Sequence, residues 1–144
     1  MNGSEPRRVR IELHSLQPEG ASVAEYRGIL YPKKNSYYIR YEESDADRGR
    51  CLVTFKWEEN GLTLLRHGEV KAEQSFRLGQ RTAGWYSSPA GRLRLEMETL
   101  KLAAEYAEEG GLPLSIEWQY ELWVNDEKTD RFDLRLMLWE DKET

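Results

Sequence analysis

The chain has 144 residues, 39 % hydrophobic and 33 % charged, with a net charge of −5 and a single cysteine. That length makes one domain, residues 1–144, and leaves no room for two ordinary ones. No run of about 18 apolar residues exists to cross a membrane as a helix, and one thiol excludes an internal disulfide or a cysteine-based zinc site.

The charge is unevenly spread. Residues 1–44 carry a net +1, residues 45–94 a net +3 and residues 95–144 a net −9. An acidic chain is a poor match for phosphate backbones, which argues against nucleic acid as a partner. Arg7, Arg8 and Arg10 read as solvated arginines at a strand end. The opening Met1 to Arg8 lacks the apolar stretch of a signal peptide. With the lone cysteine, this makes a cytoplasmic location the expectation. Residues 1–6 are expected to form a flexible arm, and residues 140–144 a flexible tail.

Turn residues recur at short intervals. They fall at Pro18 to Gly20, Pro32 to Ser36, Ser44 to Arg50, Asn60-Gly61, His67 to Glu69, Leu78 to Gln80, Ser87 to Gly91, Glu109 to Gly111 and Asn125 to Asp130. Asn60-Gly61 is the sharpest signal, because both residues tolerate the positive φ of a type I′ hairpin turn. Nine turns divide the chain into ten segments of strand length, the mark of an all-β sandwich or barrel.

The segments alternate as strands do. In the first, Val9, Ile11 and Leu13 share a face, with His14 and Glu12 on the wet side. Tyr37 and Ile39 share a face with Tyr41. Cys51 keeps the parity of Val53 and Phe55 and reads as an inert core thiol. Leu62 and Leu64 share a face with Arg66, and Val70, Ala72 and Phe76 share one with Gln74. Adjacent carboxylates such as Glu42-Glu43 point to opposite faces and read as solubilising edges. Trp118 and Tyr120 lie on the dry face of the segment from Leu114 to Val124. Phe132, Leu134, Leu136 and Leu138 line the dry face of the last one. Short links between such segments force antiparallel neighbours, and closure removes the two free edges of a ten-strand meander. Pairing Val124 with Phe132 would put Trp123 opposite Asp133 and Trp139 opposite Glu117.

Residues 99–109 read both ways. Leu100, Ala103, Ala104 and Ala107 have helical spacing, and the composition favours helix. Yet Leu93, Leu95 and Met97 alternate before them, and Leu102, Ala104 and Tyr106 alternate within them. The phase slips near Thr99-Leu100, as an extra residue in a β-bulge would make it slip.

The stretches Gly28 to Tyr31, Tyr38 to Glu43, Leu65 to Gly68 and Phe76 to Gly79, then Tyr86, Gly91 to Leu95, Thr99 and Gly111 to Tyr120, carry a resemblance by their order and spacing. Over nearly its whole length the chain resembles the YwiB-like family of small, uncharacterised bacterial proteins. That resemblance implies a single antiparallel up-and-down barrel of about ten strands, of calycin (lipocalin-like) type. It also implies that residues 99–107 continue a long bent strand. Pro32 departs from the family pattern by ending a strand where relatives continue. No activity follows from the resemblance.

No Gly-rich phosphate loop or metal-ligand spacing stands out, so no cofactor or metal is expected. His14 reads as a surface imidazole. His67, at a turn, is the one candidate general base for an enzyme reading, which would need a nearby carboxylate. The leading expectation is a non-enzymatic binder of a small apolar or amphipathic ligand, with Tyr41, Arg66, Gln74, Trp118 and Tyr120 lining the barrel. An inward Arg66 needs a partner: a carboxylate of the chain or the acidic head of a ligand. The alternative is a protein-interaction module. Trp123, Met137 and Trp139 lie on the outer parity of the acidic last strands, where a second copy or a basic protein would dock, unless neighbouring long side chains cover them.

Overall fold

The computed structural model describes residues 5–46, 49–106 and 113–141. Ten strands follow in chain order: β1 (Arg7–Gln17), β2 (Gly20–Pro32), β3 (Ser36–Asp45), β4 (Gly49–Glu58), β5 (Gly61–Gly68), β6 (Lys71–Phe76), β7 (Arg81–Ser88), β8 (Gly91–Tyr106), β9 (Pro113–Val124) and β10 (Glu127–Glu140). Each pairs antiparallel with the next, and β10 returns to β1, so the meander closes as a barrel. The ten segments expected from the turn spacing are the ten strands.

Inward and outward parities follow the alternation. Val9, Ile11, Leu30, Ile39, Val53, Phe55, Leu62, Phe76, Met97, Ile116, Trp118, Leu136 and Leu138 are each at most 2 % exposed and form one core. Cys51 is buried with them, and its thiol contacts the Val70 carbonyl oxygen at 3.5 Å. Residues 99–106 are strand. The slip in phase is a β-bulge in the β8–β9 ladder between Thr99 and Lys101, which turns Leu100 outward. Thr99 is pinned to the β6–β7 turn: its N–H donates to the Gln80 carbonyl, and its carbonyl accepts from the Gly79 N–H. The helix-forming composition loses here because β9 pairs this stretch along its length, while the β6–β7 turn bonds its first residue. Residue 107 and the Glu109 to Gly111 turn lie outside the described residues.

Three local expectations are corrected. The Asn60-Gly61 pair is not the positive-φ turn; Glu58 faces Gly61, so Glu59 and Asn60 make the reversal. The positive-φ pair is Asn125 (φ 48°) and Asp126 (φ 73°), the geometry of a type I′ turn. Asn125 is fixed there by two bonds with Arg94: its N–H donates to the Arg94 carbonyl, and its side-chain Oδ1 accepts from the Arg94 N–H. The Arg94 guanidinium also pairs with Asp126. This tight turn sets the β9–β10 register, so Trp123 faces Lys128 while Asp133 faces Gln119 and Glu117 faces Arg135. The expected Val124–Phe132 pairing assumed a wider loop, and a bulge between Lys128 and Arg131 absorbs the difference. Finally, Glu140 and Asp141 are not tail: Glu140 pairs with Val9, and the Asp141 N–H donates to the Arg8 carbonyl. Glu5 and Pro6 are exposed ahead of β1, while residues 1–4 and 142–144 lie outside the described residues.

The ladder between β2 and β3 is short. It runs only from Gly28–Tyr41 to Pro32–Tyr37, whereas β1 and β2 pair along their full length. The β1–β2 hairpin therefore flares beyond Gly28, and Leu16 and Val23 near its tip are 55 % and 57 % exposed. Gly28 begins the short ladder because the strands approach closely there: a Cβ at this position would lie 2.2 Å from the Arg40 carbonyl oxygen. That obstacle is backbone and cannot swing away. Gly28→Ala is expected to lower the unfolding free energy by about 1–3 kcal/mol. Urea denaturation measures the loss, and hydrogen exchange should quicken first at the β2–β3 amides. Unchanged exchange there would refute this view of the seam.

Candidate functional site

The interior is solid at one end and hollow at the other. Toward the start of β1, the apolar side chains of the core fill the barrel. Toward the β1–β2, β3–β4 and β5–β6 turns, a cavity of about 380 Å³ opens among Leu13, Ser15, Gln17, Ser22, Tyr26, Glu43, Arg66 and Gln74, over a floor that includes Phe55, Phe76 and Trp118. Its mouth lies on the side where the β1–β2 hairpin flares from β3. The hollow exists because the inward positions of that hairpin, Ser15, Ser22 and Ala24, are small while their counterparts lower in the barrel are large.

Arg66 projects inward from β5, as its parity required, and meets a carboxylate. Its Nε donates to Glu43 Oε1 at 3.1 Å, with the Glu43 side chain 3 % exposed and that of Arg66 13 % exposed. Glu43 was legible as an inward residue only by extending the Ile39–Tyr41 parity two residues further. Reading it as half of a solubilising pair hid the role. It completes the ion pair, so Arg66 has no need of an external acid to be neutralised.

Gln74 and Tyr120 form a second polar pair in the wall. Burial pushes the Tyr120 phenol up to about 12, against a hydrogen bond from the Gln74 amide and the nearby Arg66 charge, both of which favour ionisation. Tyr120 packs against Phe76 at 4.7 Å and Phe132 at 5.3 Å between ring centres. Between about pH 10 and pH 12 the folded chain therefore keeps a proton that the unfolded chain has lost. Stability from this group is complete below pH 10 and falls by up to about 3 kcal/mol as pH rises through 12. Ultraviolet difference titration should show one tyrosine ionising about two pH units late; Tyr120→Phe should remove that late phase.

Four of the five expected lining residues, Arg66, Gln74, Trp118 and Tyr120, meet at this cavity. Tyr41 does not. It is 2 % exposed and lies one layer back, stacked at 4.1 Å under Tyr26, which takes its place in the wall. Tyr26 reaches it from the neighbouring strand, two residues before Gly28, the cross-strand partner of Tyr41.

The outer candidates are already engaged. Trp123 is half-buried under the Arg81 guanidinium, 3.8 Å from its ring centre, and Arg81 is itself held by Glu96 at 2.8 Å. Trp139 lies beneath Arg10 at 5.1 Å. Met137 is half-buried between Glu12 of β1 and Ser115 of β9. His67 is exposed on the outer face opposite Leu52, and makes no hydrogen bond or ion pair among the described residues. His14 contacts Glu12 at 2.9 Å, also on the outer face. Among the described residues, no helix is long and apolar enough to cross a membrane.

A closed ten-strand meander with one filled end and one open cup defines a small up-and-down β-barrel protein. The chain belongs to the family described as a domain of unknown function (DUF1934), which matches residues 11–136. It is 32 % identical over 108 residues, 74 % of this chain and 73 % of the relative, to the uncharacterized β-barrel protein YwiB of Bacillus subtilis (strain 168). The crystal structure of the YwiB protein from Bacillus subtilis superposes with a TM-score of 0.71, at 22 % identity, over 99 % of this chain and 96 % of that one. The second comparison concerns the fold alone, and it is the barrel described above.

Proposed function

We propose that this chain is a non-catalytic, cytoplasmic binding protein that holds one small, partly apolar ligand inside its barrel, in the manner of calycins. The half-hollow interior carries this reading. A barrel wall could have been filled by larger side chains at Ser15, Ser22 and Ala24, as it is at its other end. Instead it keeps a cavity of about 380 Å³ walled by aromatic rings and two polar pairs. Apolar walls with a few fixed polar groups are the usual make-up of small-molecule pockets.

The interaction-module reading loses its motive. Arg81 and Arg10 cover the two tryptophans, and the acidic face is partly self-neutralised. Glu117 is held below the usual carboxylate range, chiefly by a hydrogen bond from Arg135 at 3.0 Å, with Lys101 at 3.2 Å adding to it.

Native mass spectrometry of freshly purified protein, with a small-molecule screen by thermal shift, tests the proposal. A ligand present at 100 times its Kd should raise Tm by about 5–10 °C. No bound species and no shift across an apolar library would overturn it.

A further inference from the structure

Resting on the reading of the cup as a ligand site, we infer that Glu43 makes the cup selective for uncharged molecules. Among the described residues, the lining holds one anion, Glu43, and one cation, Arg66, and these are bonded to each other. The other polar groups there, Ser15, Gln17, Ser22, Tyr26, Gln74 and Tyr120, are neutral. A ligand acid entering to reach Arg66 must approach Glu43 as well, within a few ångströms and in a partly dry site where like charges repel strongly. An amine meets the same obstacle from Arg66. A neutral molecule meets neither.

The pair is joined edge-on, through the Nε of Arg66, and this leaves a donor for the ligand. With Nε given to Glu43, the two Nη groups are the further donors of the same guanidinium. Arg66 lines a cup whose wall also holds flat rings, Tyr26, Phe55 and Trp118 among them. The chemistry matches an uncharged planar molecule that presents a hydrogen-bond acceptor to the Nη groups and its faces to the rings. Glu43 thus sets specificity, by cancelling the charge that would otherwise recruit acids.

Two fluorescent probes that share one skeleton separate the possibilities: uncharged N-phenyl-1-naphthylamine and its anionic sulfonate, 1-anilinonaphthalene-8-sulfonate. Each is titrated against the full chain, counting only sulfonate that the neutral probe displaces. The wild type should bind the neutral probe at least about tenfold more tightly. Glu43→Gln should bring the sulfonate affinity up by about tenfold or more while moving the neutral probe little, since removing one facing charge is worth at least that factor. The double variant Glu43→Gln/Arg66→Gln should lose the sulfonate again, which shows that Arg66 is the recruited cation. A wild type that prefers the sulfonate overturns the inference and leaves the binding function standing. So does a Glu43→Gln variant with an unchanged preference. If neither probe binds the wild type, the binding function falls and this inference with it. Should Glu43→Gln fail to fold, the wild-type preference alone decides.

Discussion

Glu43→Ala should lower the unfolding free energy by about 3–5 kcal/mol, because it leaves the Arg66 guanidinium without its counter-charge inside the barrel wall. The Arg66 side chain retains 13 % of its exposure through the mouth of the cup, so water relieves part of the penalty and the lower end of that range is expected. Arg66→Ala should cost a similar amount, by leaving a carboxylate that is 3 % exposed without a cation. The informative variant is the double one. Glu43→Leu/Arg66→Leu removes both charges and both desolvation penalties, and apolar replacement of a buried pair is often neutral or stabilising. Its stability should lie within about 1 kcal/mol of the wild type, giving a large favourable coupling in a double-mutant cycle. Urea denaturation of the four proteins measures it. Single variants that each cost less than about 1 kcal/mol would mean that water in the cup already solvates the pair. The ion pair would then have no structural role and would matter for ligand choice alone.

Alternation made most of the barrel legible. A strand with one dry face repeats every second residue, so Arg66, Gln74, Trp118 and Tyr120 were assigned inward by arithmetic, and all four line the cavity. The bulge at Thr99 was visible for the same reason: an extra residue shifts every later side chain to the opposite parity. Two kinds of information were not local. Register between β9 and β10 depends on whether the chain turns at Asn125-Asp126 or over a longer loop, and several polar residues between Asn125 and Asp130 are compatible with either. The layer a side chain occupies within the barrel depends on its neighbour across the ladder. Tyr41 has the parity of a wall residue, but the ring of Tyr26, from the neighbouring strand, stacks over it. Glu43 shows a third limit. Charge is the strongest single cue for the outer face, and here it was overruled by a partner 23 positions away in sequence. The outer tryptophans were correctly placed on the wet side, yet their cover by Arg81 and Arg10 comes from strands remote in sequence and close only after closure.

Phe55 marks the boundary between the filled and hollow halves, and its removal should separate them energetically. It is 1 % exposed, meets Trp118 edge-on at 5.7 Å and Tyr41 at 6.3 Å, and forms part of the cup floor. Phe55→Ala should cost about 3–5 kcal/mol, from the lost transfer free energy of the ring and the space it leaves. Leu62→Ala, at a position also 1 % exposed but in the filled half between Trp57 and Phe76 on adjacent strands, should cost about 2–5 kcal/mol. The two gaps differ in access. The space under Phe55 joins the cup, so a bound probe can occupy it and recover dispersion contacts, whereas Leu62 does not line the cup and lies behind Phe76 of its floor. Thermal unfolding with and without N-phenyl-1-naphthylamine should therefore show a larger probe-induced rise in Tm for Phe55→Ala than for Leu62→Ala. Equal rises would mean that the probe does not reach the floor of the cup, and the binding surface would have to be sought at the flared β1–β2 mouth instead.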